Sequence, residues 1–283
     1  MDHSEGTFQA SGDVELYYQR WRPDGIPRAS LAIVHGFGEH SGRYGNVVDW
    51  FLPRGHAIYA LDQRGYGRSP GSRGYVKSFA EYRQDLSAFL DLVRDAEAGR
   101  PLYLLGHSMG GLVVLNYVLH DPSGLDGVIA SAPLLGTLPT SPLLTLLSKG
   151  LSHLWPGLTL ETGLEVAALS RDRAVVDAYV NDPLVHNLGT PRLGTEFAKT
   201  IEWTQDHAAD LALPCLILHG GADRLVDPEA SRTFFEKVTF ADKVRHEYEG
   251  SYHEIFNDLD KEVVFADMEA WLDDHLRRDL GVQ

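Results

Sequence analysis

Apolar positions along the chain first come in short alternating runs and then in continuous ones. Two β-prone runs, TFQA at 7–10 and VELYYQRW at 14–21, flank the turn signal Ser11-Gly12-Asp13 and predict an antiparallel hairpin at the start of the fold. From residue 30 onward the period changes. SLAIVHG, HAIYALD, PLYLLGH, LDGVIASAP and PCLILHG are short, continuously apolar and bounded by Gly, Asp or Pro. A strand with one wet face would alternate, so these runs predict strands buried on both faces of a parallel sheet. Helical patterns separate most of them. The clearest, at 78–98, repeats Phe79, Tyr82, Leu86, Phe89, Leu90 and Val93 at spacings of three and four, with Ser78 and Glu81 disposed as a capping box. Strand alternating with helix predicts right-handed crossovers and a mostly parallel, doubly wound α/β sheet. In such sheets the working site lies beyond the carboxyl ends of the strands.

After Pro133 the alternation stops, and 73 residues, 134–206, pass before the strand at Cys215. That is too long for a connection. Its segment SPLLTLLSKGLSHLWPGLTL clusters leucines, and the remainder reads as short helices punctuated by Pro and Gly. The expectation is a helical cap at 134–206 inserted between two parts of one core, 1–133 and 207–283.

Composition narrows the function classes. Lys and Arg number 25 against 40 Asp and Glu, a net charge of −15, which repels nucleic-acid phosphates and anionic lipid surfaces at long range. The single cysteine, Cys215, excludes an internal disulfide. The N-terminal stretch is polar, and no apolar run reaches the roughly 18 residues of a membrane span. The expectation is a cytoplasmic, non-spanning protein.

Candidate chemistry centres on G-x-S-x-G, which occurs twice: Gly106-His107-Ser108-Met109-Gly110 and Gly67-Arg68-Ser69-Pro70-Gly71. A nucleophile elbow needs a strand before the serine, a helix after it, and a backbone N–H just behind it. Ser108 has LYLL before it and the helical pattern MGGLVVLNYVLH after it. Ser69 lies in a glycine-rich loop and precedes Pro70, which has no N–H to give an oxyanion.

A serine hydroxyl needs a histidine base and an acid that orients it. Past the strand PCLILHG stand Asp223 and Asp227. Asp227 before Pro228-Glu229 reads as a helix N-cap, which leaves Asp223 as the acid. Of 13 histidines, His253 lies in a loop after the last predicted strand, whereas His246 lies inside that strand. His107 is expected to point away from Ser108 and to buttress the turn. The oxyanion donors expected are the backbone N–H groups of Met109 and Phe37, the latter in the loop after LAIVHG.

Two other classes compete. Gly36-Phe37-Gly38-Glu39-His40-Ser41 resembles a dinucleotide fingerprint with Asp62 as the ribose acid, but Ser41 replaces the third glycine and Ser108, Asp223 and His253 go unexplained. A non-catalytic ligand-binding module would have no use for the same three residues. No metal or cofactor is required: His253-Glu254 lacks the second histidine of H-E-x-x-H.

The segments HGFGEHSGRY, LDQRGYGRSPG, GHSMGG, NDPLV, GGADRLVD and YEGSYHE together resemble the α/β-hydrolase superfamily, and within it the monoacylglycerol lipase and lysophospholipase branch. The resemblance covers nearly the whole chain. It implies the fold read above, Ser108, Asp223 and His253 as nucleophile, acid and base, and Phe37 and Met109 as oxyanion donors. It further implies a cap over an apolar acyl channel and a small polar pocket for a glycerol head. Glu39 and Arg43 either contribute to that pocket or form a structural ion pair in their loop. Cap leucines, Leu143, Leu147 and Leu151 among them, either line the channel or pack on the main core. Phe256 stands where some relatives carry histidine, and Phe37 where several carry a smaller residue. The substrate expected is a small-molecule acyl ester, a monoacylglycerol first, with a general carboxylesterase, lysophospholipase, thioesterase or peptidase as alternatives that share the machinery. The cap is also expected to touch membrane or micelle surfaces transiently.

Overall fold

A computed structural model of the chain describes residues 2–136 and 150–279. The chain opens with β1 (Asp2–Ala10) and β2 (Val14–Arg22), paired antiparallel along their whole length from Asp2–Arg22 to Ala10–Val14. β1 starts five residues earlier than the run at Thr7, because its polar first half is held by that ladder and has no hydrophobic face of its own. Then follow β3 (Ala29–Val34), α1 (Gly45–Phe51), β4 (His56–Leu61), α2 (Ala80–Ala96), β5 (Leu102–His107), α3 (Met109–His120) and β6 (Gly127–Ser131). The segment after β6 carries a helical stretch at 150–154, β7 (Leu160–Glu161), α4 (Arg173–Asn181), β8 (Leu188–Gly189) and α5 (Pro191–Asp206). The chain closes with β9 (Cys215–Gly220), α6 (Pro228–Lys237), β10 (Lys243–Tyr248) and α7 (Lys261–Asp279).

Eight strands form one sheet in the order β1-β2-β4-β3-β5-β6-β9-β10; β1, β2 and β4 are joined antiparallel and every later pair is parallel. Alternate residues of the buried strands feed two separate cores. Ala32, Val34, Leu104, Ala130 and Ile217 pack with α2, α3 and α5 on one face, while Leu31, Ile33, Leu105, Ile129 and Leu218 pack with α1 and α7 on the other. This two-sided burial is why the strands read as unbroken apolar runs.

Three local features differ from expectation or add to it. At the start of α2 no capping box forms: Ser78 Oγ accepts from Ala80 N–H, and the Glu81 carboxylate accepts from Lys77 N–H at 2.7 Å and pairs with Arg64 at 3.2 Å. Arg64, a cation on a neighbouring loop, draws Glu81 away from the backbone of Ser78. Between β6 and β9, β7 and β8 pair as a two-residue antiparallel ribbon, too short to show a period in sequence. In the same segment, Leu193, Phe197 and Ile201 of α5 join the core formed by α2 and α3. No helix among the described residues is long and apolar enough to cross a membrane.

Candidate active site

Ser108 sits between β5 and α3, at the carboxyl edge of the sheet, with φ 53° and ψ −115°. A non-glycine residue in that region costs of order 1–3 kcal/mol and persists only where its surroundings fix it. Here they do. Its N–H donates to Ser131 O at 2.9 Å, and its carbonyl accepts from Leu112 N–H at 3.1 Å and Leu134 N–H at 3.0 Å. The flanking glycines follow from the crowding of this turn: a Cβ on Gly106 would run into the carbonyl oxygen of Gly110, and one on Gly110 into that of Val34. The rival serine has a structural task instead. Ser69 Oγ accepts from Tyr17 N–H at 2.9 Å and donates to Asp62 O, while the Asp62 carboxylate accepts from the N–H groups of Ser41 and Arg68. Asp62 is thereby spent on its own loop and is not turned outward as a ribose-binding acid would be.

Asp223 follows β9, and His253 lies in the loop after β10. His253 Nδ1–H donates to Asp223 Oδ2 at 2.7 Å, which leaves Nε2 of the neutral ring with its lone pair free. Asp223 is held from three further directions: Leu225 N–H and Val226 N–H donate to Oδ1 at 2.8 and 3.0 Å, and His219 Nε2–H donates to Oδ2 at 3.2 Å. Burial alone would raise its pKa, but His253 beside it and these hydrogen bonds outweigh burial and hold the carboxyl far below the usual range. Asp227 caps α6, accepting from Glu229 N–H at 2.9 Å with Pro228 at the first helical position. Cys215 in β9 offers no rival nucleophile, since burial pushes its thiol up to about 12.

Ser108 and His253 share the wall of a cavity of about 510 Å³ with Phe37, Leu134, Leu169, Phe197 and Val226. Among the described residues no hydrogen bond joins Ser108 Oγ to His253; in free hydrolases this contact commonly tightens only with substrate bound. Nor does any acceptor among the described residues take the N–H of Phe37 or of Met109, so both donors remain available to an oxyanion. Phe37 is set by edge contacts with Tyr66 and His186 at centroid distances of 5.9 and 6.1 Å.

Other candidates fall differently. Glu39 lines the cavity, but its Oε1 already accepts from Gly36 N–H at 2.7 Å and Tyr44 O–H at 2.9 Å, and its Oε2 from Arg43 at 2.8 Å. Arg43 is not in the cavity wall; it lies between Glu39 and Glu254. Leu151 is half-buried outside the cavity wall, and Leu143 and Leu147 lie outside the described residues. His246 is on β10, 3.8 Å from Asp267. His107 does not point away: it lines the cavity, its ring 4.8 Å from that of His253, and burial holds it neutral with a pKa lowered to about 3. Sequence reasoning passed over His219 and Glu254. A histidine at the end of a strand, four residues before the candidate acid, was the available signal for the first.

This electrostatic setting has a consequence for pH. Burial favours neutral His253, but the Asp223 charge and hydrogen bond outweigh it, with Glu254 and Glu39 adding to the same side, so the pKa is raised. A general base works unprotonated. Activity is therefore expected to rise with pH through an ionisation above the unperturbed histidine value of about 6.5, read as the acid limb of kcat/KM. A limb at or below that value would contradict the assignment.

Set beside known proteins, residues 25–260 match the family described as serine aminopeptidase, S33. The chain is 35% identical over 278 residues to the monoacylglycerol lipase of Mycolicibacterium smegmatis, covering 96% of this chain and 98% of that one. It is likewise 35% identical to phospholipase YtpA of Bacillus subtilis, covering 90% and 99%. The crystal structure of Paleococcus ferrophilus monoacylglycerol lipase superposes with a TM-score of 0.84 at 37% identity, covering 92% of this chain and 99% of that one.

Proposed function

The chain belongs to the serine aminopeptidase S33 family of α/β hydrolases and is a serine hydrolase of the esterase and lipase kind, and from that premise we propose that it cleaves single-chain acyl esters, monoacylglycerols first. The observation that carries this reading is the His253–Asp223 pair beside Ser108, opening on one cavity whose wall is mainly apolar. In the reading, Ser108 Oγ attacks the ester carbonyl while His253 Nε2 takes its proton. The N–H groups of Phe37 and Met109 receive the oxyanion. His253 returns the proton to the departing alcohol, and a water activated by the same base then releases the fatty acid.

Residues 134–206 act here as the cap between the two parts of the core; Leu164, Leu169, Tyr179 and Phe197 from this segment face the cavity and support that role. An acyl chain gains about 0.8 kcal/mol per methylene buried. Catalytic efficiency on monoacylglycerols is thus expected to climb with chain length beyond about six carbons, as measured by kcat/KM across an acyl series. A flat series would leave an esterase without the lipase character. Leu154, Trp155, Leu158 and Leu160 are exposed on the cap segment and support transient docking on lipid surfaces, which faster turnover on vesicles or micelles than on monomers would register.

A lysophospholipase is the second reading. It is favoured by the likeness to the Bacillus subtilis phospholipase and by Arg224, a cation in the cavity wall. Lysophospholipid set beside monoacylglycerol of the same chain in one assay separates the two.

A further inference from the structure

Arg43, Glu39 and Glu254 form a buried ionic cluster that reaches two parts of the proposed machinery at once. Their side chains are 10%, 5% and 4% exposed. Arg43 Nη1 and Nη2 donate to the two oxygens of Glu254 at 2.6 and 2.7 Å, and Nη1 also donates to Glu39 Oε2 at 2.8 Å. Glu39 in turn fixes the Gly36 N–H at 2.7 Å, one residue before the donor at Phe37. Glu254 directly follows His253, and its own N–H donates to Leu169 O at 2.8 Å. Asn257 donates to the same carboxylate at 3.1 Å, and the ring of Tyr179 lies 4.7 Å from the guanidinium carbon.

We propose that Arg43 is a positioning residue that holds the oxyanion loop and the base loop in register through its two carboxylate partners. The inference rests on the serine-hydrolase reading of Ser108 and His253. A planar guanidinium fixes the angle between two carboxylates as well as their distance, which a lysine ammonium does not. Arg43 is absent from the wall of the 510 Å³ cavity and lines only an adjoining crevice of about 10 Å³, too small for a substrate group, so it acts on the reaction through Glu39 and Glu254. Two carboxylates around one guanidinium also leave a net negative charge near His253. That base is thus faced by Asp223, Glu254 and Glu39, with Arg43 partly offsetting them and neutral His107 alongside.

The test is inactivation by a fluorophosphonate probe, which reads the reactivity of the serine and its base without any demand for a glycerol head. Arg43→Lys is expected to slow inactivation, and kcat on a soluble short-chain ester, by about 10- to 100-fold, as misplacement on the 1 Å scale does. KM should stay within about twofold for esters with or without glycerol. Glu254→Gln keeps the shape, leaves Arg43 and Glu39 as a balanced pair, and should both slow inactivation and move its acid limb to lower pH. A folded Arg43→Lys protein, judged by its thermal midpoint, that is inactivated at the wild-type rate overturns the proposal. So does a defect confined to KM for glycerol esters, which would make Arg43 a substrate contact. If Arg43→Lys fails to fold, Glu254→Gln decides alone, and an unchanged rate with an unchanged acid limb overturns it. Wild-type protein that does not react with the probe removes the hydrolase reading itself, a distinct result.

Discussion

Ser108→Ala is expected to lower turnover of single-chain esters by about a million-fold and to abolish fluorophosphonate labelling, leaving only the modest acceleration that oxyanion donors and binding supply. The structure makes this a clean substitution. The bonds that hold residue 108 in the elbow, to Ser131, Leu112 and Leu134, all run through its backbone. The Ser108 hydroxyl bonds to no described residue, so its removal strands no partner. Alanine also suffers the same φ of 53° that serine does. The thermal midpoint should therefore change little while activity vanishes. Labelling that persists in the variant would move the nucleophile elsewhere.

Asp223→Asn is expected to cost about 10⁴-fold in kcat, by a different route. Four donors converge on the Asp223 carboxylate: two backbone N–H groups on one oxygen, His253 and His219 on the other. An asparagine can offer its oxygen to the first pair, which turns its NH₂ toward the two imidazoles. His253 would then be driven to the tautomer that carries its proton on Nε2, where a base needs a lone pair. Removing the charge also removes the largest influence that raises the His253 pKa against burial, so the acid limb of the residual activity should fall to lower pH. The His219 Nε2–H keeps the Val226 carbonyl, at 3.2 Å, as an acceptor when the carboxylate is lost, so the accompanying stability loss should stay near the roughly 1 kcal/mol of one hydrogen bond. A variant with wild-type kcat, or with an unmoved acid limb, would take Asp223 out of the role proposed for it. Slow labelling of Asp223→Asn against none in Ser108→Ala distinguishes an impaired base from a missing nucleophile.

What could be read from residues alone divides along physical lines. Strands buried on both faces announce themselves as unbroken apolar runs, and five such runs became β3, β4, β5, β6 and β9. The Ser108 elbow and the N-cap at Asp227 were legible because local rules of turn and cap chemistry govern them. Features that depend on distant partners were not. The first half of β1 is polar and owes its strand form to pairing with β2. Glu254 is an ordinary acidic residue until Arg43, 211 positions away, folds against it. His107 went astray because alternation along a strand was carried one residue too far: the left-handed backbone at Ser108 ends the pleat and lets Ser108 face the same cavity as His107. The cap leucines were the least decidable, since a 3–4 repeat is equally suited to a channel wall and to a core.

Position 108 also exposes a conflict between what selection for folding and selection for chemistry would each retain. Glycine would adopt φ 53° without the side-chain clash and would relieve the turn, yet it would leave nothing to attack a substrate. The proposed nucleophile is thus, by its backbone, the wrong residue for the turn it occupies. Its persistence there is carried by the backbone bonds to Ser131, Leu112 and Leu134, in a turn so crowded that even a methyl group is refused at Gly106 and Gly110. Variants gathered by screening for heat resistance alone would tend to drift toward inert proteins at this spot, whereas a screen that demands turnover would hold the strain in place. The elbow can in that sense be regarded as a small debt of stability that function requires the rest of the fold to carry.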